Sequence, residues 1–244
     1  MVLDMPAPKA AEVAIGSIGC GYDIVMDVQL KNCKGNNSKD SCLLEFDEDG
    51  GHEFVLPGGI SIPNVSNSIK CVKGERKRFN SDVLSFQQMS EQFNREISLT
   101  GVIPSGLFNS MFEFSGCWQN DAANTKTVAF DGVFDTVYSF EMDQYQVKLQ
   151  DHVKKAIPPT WEPAALARFI GTYGTHIIVG VKMGGKDVIC IKQQHSSTLE
   201  PADIQKRLMD MADKRFVDAN GSKDMSEQVF QGDKVCNRTV MTSP

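Results

Sequence analysis

The sequence predicts an α+β fold organised on a large antiparallel sheet, and three stretches carry that expectation. Between residues 127 and 142, Val128, Phe130, Phe134, Tyr138, Phe140 and Met142 share one parity while Thr127, Asp131, Asp135, Ser139 and Glu141 share the other. This predicts one strand of ~50 Å at ~3.3 Å per residue, far longer than usual. One apolar and one polar face belong to an antiparallel sheet covered on a single side, because parallel sheets are buried on both. From Thr175 a β-branched run (Ile177, Ile178, Val179, Val181) pauses at Gly184-Gly185 and resumes as Val188, Ile189 and Ile191. That predicts one bent strand, or two strands meeting at the glycines. Between Ser81 and Ile97, Val83, Phe86, Met89, Phe93 and Ile97 recur three or four apart, the spacing of an amphipathic helix.

The other elements follow in chain order. Residues 1–11 read as a flexible start, rich in Pro and Ala. Tyr22, Ile24, Met26, Val28 and Leu30 alternate with Asp23, Val25, Asp27 and Gln29 as a first half-buried strand. Asn32 to Asp40 is turn-forming, Leu43 to Phe46 is placed to pair back, and Gly50-Gly51 and Gly58-Gly59 punctuate a loop-rich stretch. The basic run of Lys70, Lys73, Arg76, Lys77 and Arg78 reads as a solvated loop. Ser81 is the expected cap of the amphipathic helix, and a second short helix carries Leu107, Phe108, Met111 and Phe112. Thr160 is expected to cap a helix with Pro163 in its first turn, Leu166, Phe169, Ile170 and Tyr173 on one face, and Gly174 as its stop. Pro201 to Phe216 is a last helix with Ile204, Leu208 and Met211 inward, and residues 217–244 read as a polar, disordered tail.

Composition removes several classes of function. Twenty-five basic against thirty-one acidic residues leave a net charge of -6, which excludes nucleic acid as the main partner. No apolar run approaches the ~18 residues of a membrane-spanning helix, and Met1 to Ala14 lacks a secretion signal, so the expected location is the cytosol. Seven cysteines without a C-x-x-C spacing read as free thiols in a reducing compartment rather than as a zinc site.

No motif argues for an enzyme, a cofactor or a metal. Gly180 to Lys186 approaches the phosphate-binding pattern G-x-x-x-x-G-K-[ST], but Asp187 replaces the hydroxyl residue and the following residues are strand-like, so no nucleotide is expected. Gly19-Cys20-Gly21 precedes its strand, where a dinucleotide fingerprint follows one. His52, His152, His176 and His195 show no metal-binding spacing, and no G-x-S-x-G occurs. A small-molecule enzyme survives only as a pocket gathering His176, His195 and an acid.

Tyr173-Gly174-Thr175-His176-Ile177, six residues, then Gly184-Gly185 resembles the signature of the membrane attack complex/perforin (MACPF) superfamily, written Y/W-G-T/S-H-F/Y, six residues, G-G. The departure is Ile177, where the family prefers an aromatic. Gly19 to Asp23, Ser66 to Cys71, Ser85 to Phe93 and Met183 to Val188 extend the likeness towards the plant branch, the constitutively-activated-cell-death and necrotic-spotted-lesions-like proteins.

The resemblance implies a bent antiparallel sheet of four strands flanked by two helical clusters, which in pore-forming members unfurl into transmembrane hairpins. On that template residues 12–216 form a partial domain, and the fourth strand and most of the second cluster are missing. It further implies a conformational role for Tyr173, Gly174, Thr175, His176, Gly184 and Gly185, and a membrane-contact cluster at Phe86, Met89, Phe93, Phe108 and Phe112. Glu91 and Arg95 would share the lipid-facing parity of the first cluster with Val83, Met89 and Phe93, so helix suits that segment better than an inserted strand. The expected function is restraint of salicylic-acid-linked programmed cell death and defence through membrane lipid, a second copy or a full-length relative. The alternative is a truncated, non-inserting fragment that binds full-length relatives and interferes with their assembly.

Overall fold

The computed structural model describes residues 6–26, 33–34, 42–46, 51–96, 103–143, 147–217, 229–230 and 233–241. In chain order the elements are α1 (Ala7–Ser17), β1 (Gly21–Tyr22), β2 (His52–Leu56), β3 (Ile60–Val65), β4 (Ile69–Lys73), β5 (Arg76–Asn80), α2 (Phe86–Glu96), α3 (Gly106–Met111), α4 (Trp118–Asn124), β6 (Thr127–Met142), α5 (Asp151–Ala156), α6 (Pro163–Tyr173), β7 (His176–Ile177), β8 (Gly180–Gln193), α7 (Pro201–Val217), β9 (Val229–Phe230) and β10 (Asp233–Met241). The chain divides into two compact units, one of residues 1–75, 136–184 and 242–244, the other of residues 76–135 and 185–241.

In the first unit α1 begins at Ala7, inside the stretch expected to be flexible. Its small residues Ala11 and Ala14 are wholly buried in a core with Ile62 and Val65 of β3, and that burial fixes the helix. β2 and β3 form a hairpin turned at Gly58 and Gly59, whose φ angles of 87° and 75° suit glycine. β4 runs antiparallel to the end of β6, Ile69 facing Met142 and Lys73 facing Tyr138. The first strand is shorter than its alternation predicts: it holds Gly21–Tyr22, and Ile24 to Met26 form a turn closed by Met26 N–H on Asp23 C=O at 2.9 Å. The predicted residues Asp27 to Leu30 lie outside the described residues.

In the second unit β5 pairs with Asp131–Asp135 of β6, so the basic run is strand, not loop. Ser81 does not cap α2. It is buried with its N–H on Phe130 C=O and its hydroxyl accepting from Phe130 N–H, both at 2.9 Å, which ties the chain to β6. The cap is Ser85, whose hydroxyl accepts from Gln88 N–H while Gln88 Oε1 accepts from Ser85 N–H, a capping box. The sequence reading extends this helix to Ile97, outside the described residues.

The alternation of β6 misses one feature of this unit, that both faces of the strand are covered. Val128 and Phe130 pack with Phe86, Met89, Phe93, Phe108 and Phe112 from α2, α3 and the residue after it. On the other face Ala129, Ile189 and Ile191 meet Ile204, Leu208 and Ala212 of α7. A polar parity here marks residues under a second helix, not residues in water.

β6 and β8 are neighbours in one sheet of order β4-β6-β8-β10-β9, with β5 also on β6. β8 runs unbroken through Gly184-Gly185, and the interruption falls earlier, between β7 and β8. Gly132 is needed for proximity: a Cβ there would stand 2.7 Å from Val188 Cγ2 and 3.0 Å from Asp187 O. Beyond α7, β10 lies antiparallel along β8 from Asp233 opposite Gln193 to Met241 opposite Gly185. The expectation of a disordered tail and an absent outer strand is corrected for those residues. The sequence from Asp233 to Met241 has no period-two apolar alternation, and backbone pairing with β8 defines the strand instead.

Candidate functional site

The signature is built where α6 ends. Pro163 opens the helix after Glu162, rather than Thr160, as its N-cap residue, and Gly174 closes it with φ 84° and ψ -177°, a region open essentially to glycine. A Cβ on Gly174 would stand 2.6 Å from Tyr22 O. The chain then clasps the N-terminal strand. Thr175 N–H donates to Tyr22 C=O at 2.9 Å, Ile24 N–H donates to Thr175 Oγ1 at 3.0 Å, and β7 pairs Ile177 with Gly21 and His176 with Tyr22. Gly19 N–H reaches Ile178 C=O at 2.7 Å and Ile178 N–H reaches Cys20 C=O at 3.0 Å. Gly21 leaves room for Tyr173, since a Cβ there would fall 1.8 Å from the Tyr173 carbonyl oxygen.

Two stretches that carry the family resemblance, Gly19–Asp23 and Tyr173–Ile177, are therefore one structural joint. Gly19-Cys20-Gly21 pairs by its backbone with the chain that follows α6 rather than forming half a dinucleotide site. His176 is exposed, with Nδ1 2.9 Å from Thr175 Oγ1. Gly184 and Gly185 lie further on in β8, and a Cβ on Gly185 would meet nothing within 4 Å.

The candidate membrane cluster is core in this conformation: Met89, Phe108 and Phe112 are 0% exposed, and Phe86 and Phe93 are 5% exposed. Their rings pack edge-on and tilted, Phe86 on Phe108 at 5.2 Å and Phe93 on Phe108 at 5.5 Å between centroids. Gly180 to Asp187 lie wholly in β8, so the near-match to a phosphate loop has no helix start behind it. Among the described residues no three of His, Cys, Asp and Glu gather to hold a metal, and no helix is long and apolar enough to cross a membrane.

Sequence reasoning missed a charged staple in the second unit. Asp131 is fully buried, and Arg78 meets it with both arms, Nε to Oδ1 at 2.9 Å and Nη2 to Oδ2 at 2.8 Å. Nη2 also reaches Asp213 of α7 at 2.7 Å, and the guanidinium lies 5.6 Å from the Phe216 ring centroid. Hydrogen bonds to Asp131 and then Asp213 push Arg78 further above its already high range. A second pair, Arg215 Nε to Asp187 Oδ2 at 2.8 Å, ties α7 to β8. The basic run and the polar parity of β6 held the two halves of the first staple; only the pairing of β5 with β6 brings them together.

The signature joint and the paired long strands are features of a perforin-type domain. The MAC/Perforin domain profile matches residues 8–231, beyond the residue-216 boundary expected from sequence, and the chain belongs to that family. It is 70% identical over 221 residues to the MACPF domain-containing protein At4g24290 of Arabidopsis thaliana, covering 90% of this chain and 36% of that protein. It is 51% identical to the MACPF domain-containing protein NSL1 (87% and 34% covered) and 39% identical to the MACPF domain-containing protein CAD1 (84% and 36% covered), both of Arabidopsis thaliana. The chain thus spans about a third of the length of these relatives. Among solved structures it resembles GNIP1Aa from Chromobacterium piscinae, with a TM-score of 0.57 at 15% identity over 87% of this chain and 39% of that one, a likeness of fold alone.

Proposed function

We propose that this chain is the perforin-type part of a plant protein that restrains salicylic-acid-linked programmed cell death and defence by contact, without catalysis. The observation that carries the reading is the placement of Gly184-Gly185 inside β8, beside β6, with open space around Gly185. A glycine pair within a long strand allows backbone change without side-chain collision, the property a sheet needs if helices over it are to move away during assembly. The working location is the cytosol and the inner surface of the plasma membrane. The partners are membrane lipid and a second copy or full-length relative meeting it along strand edges. Phe86, Met89, Phe93, Phe108 and Phe112 would reach lipid only after α2 and α3 leave the sheet.

The non-inserting, interfering fragment is the second reading. It is favoured by the capping box and buried aromatic face of α2, which commit that segment to helix. Expression of the chain in leaves challenged with a cell-death elicitor tests the proposal. Smaller lesions and lower salicylic acid than in empty-vector leaves support it; unchanged or larger values contradict it. Restraint that persists only where the full-length relative is present assigns the interfering mode.

A further inference from the structure

The thiols of Cys20, Cys33 and Cys42 lie beside the signature joint. Cys20 belongs to the stretch that clasps Ile178, and Cys42 faces it across an antiparallel bridge. Leu43 N–H donates to Gly19 C=O at 2.8 Å. That bond joins neighbours of the two cysteines, not the cysteines themselves, so they form a non-hydrogen-bonded pair. In such a pair the Cα atoms stand about 4.5 Å apart with side chains on one face, inside the range of about 4.4–6.8 Å that disulfides span. Cys33 stands in the same relation to Tyr22, with Lys34 N–H on Gly21 C=O at 2.8 Å. Both Cys20 and Cys42 are free thiols: Cys20 Sγ donates to Gly16 O at 3.4 Å and Cys42 Sγ to Leu44 O at 3.3 Å.

We propose that Cys20 and Cys42 are an oxidative modification site, closing to a reversible cross-strand disulfide under a peroxide and thereby locking the strand that holds Gly174 and Thr175. Cys42 is half-buried and Cys20 buried, so the peroxide meets Cys42 first. The Cys42 thiolate attacks one peroxide oxygen, the O–O bond breaks, and the hydroxide released takes up the thiol's proton as water. Cys20 then gives up its proton and attacks Cys42 Sγ, the S–O bond breaks, an S–S bond forms, and hydroxide leaves with that proton as a second water. Two thiols are oxidised and one peroxide is reduced. Burial raises both thiols above their ordinary range, Cys20 to about 11 with added repulsion from Cys42 and Cys33. Thiolate is therefore scarce at neutral pH, and the site closes slowly, answering sustained oxidation.

The test uses the full chain carrying Cys71→Ser and Cys117→Ser, which removes the two thiols that are exposed among the described residues. It is treated with hydrogen peroxide, alkylated and mapped by mass spectrometry without reduction. The expected result is a peptide pair joined through Cys20 and Cys42, two hydrogens lighter, released by dithiothreitol, with a raised melting temperature that Cys42→Ser abolishes. Full alkylation of both thiols after treatment, pairing of Cys42 with Cys33 instead, or arrest at a sulfinic acid would overturn the proposal. Mapping of the chain that retains Cys42 decides the matter even if Cys42→Ser does not fold.

Discussion

Replacing Arg78 by Met isolates the staple between β5, β6 and α7. Met keeps much of the aliphatic stem over Phe216 but removes both hydrogen bonds to Asp131, whose side chain is 0% exposed. Breaking a buried pair by removing one partner costs about 3–5 kcal/mol, because a charge is left without compensation. Arg78 is itself 37% exposed, so water reaches the vacated position and part of the loss is recovered, which brings the expected cost to about 2–3 kcal/mol. The control is Asp213→Asn. That partner is 57% exposed, and exposed ion pairs contribute about 0–1 kcal/mol. Urea unfolding at pH 7 followed by circular dichroism reads both variants. A cost below about 1 kcal/mol for Arg78→Met, or an equal cost for the two variants, refutes the assignment of Asp131 as the buried anchor.

Gly21→Ala and Gly174→Ala should each destabilise the first unit. The first drives a Cβ into the Tyr173 carbonyl at 1.8 Å; the second adds backbone strain of about 1–3 kcal/mol to its clash with Tyr22. Gly185→Ala, with no atom within 4 Å, should unfold within about 0.5 kcal/mol of wild type in the same urea titration. Phe108→Ala empties the centre of the aromatic cluster and should cost about 3–5 kcal/mol, seen as a lower urea midpoint with an unchanged slope. Burial holds the Cys20 proton to about 11 against 9.0 for a free thiol. The folded chain therefore keeps a proton that the unfolded chain releases, so this contribution is complete below pH 9.0 and is lost as pH rises towards 11. Cys20→Ala should flatten the alkaline fall in stability, measured by urea titration across that window.

The parts of the fold legible in sequence are those written in long apolar periods. Residues 127–142 read as one strand and are one strand, and Gly174 stops α6 as its position after Tyr173 indicates. β5 was not legible because its side chains are exposed and mostly basic; its hydrogen bonds to β6 define it, and those leave no pattern in a single chain. Asp131 has the parity of a wet face, and only the arrival of α7 makes that face dry. The helix start moved from Ser81 to Ser85 because the Ser81 hydroxyl is engaged by Phe130, whereas Gln88 completes a capping box only with Ser85. Of the candidate site, the signature residues were readable as a motif. Their partner, Gly19 to Tyr22, was readable only as a second motif, and the joint between them depends on pairing across the chain.

The most direct test of the account compares wild type with Gly185→Val on liposomes of plant plasma-membrane lipid composition, reading oligomer size by crosslinking and membrane association by flotation. The account predicts matched urea midpoints for the two proteins in solution, because a Cβ at this position meets no atom within 4 Å. It also predicts membrane-bound oligomers for wild type and their loss for Gly185→Val. Equal assembly of the two, or no assembly by either, would contradict a conformational role for the glycine pair in β8.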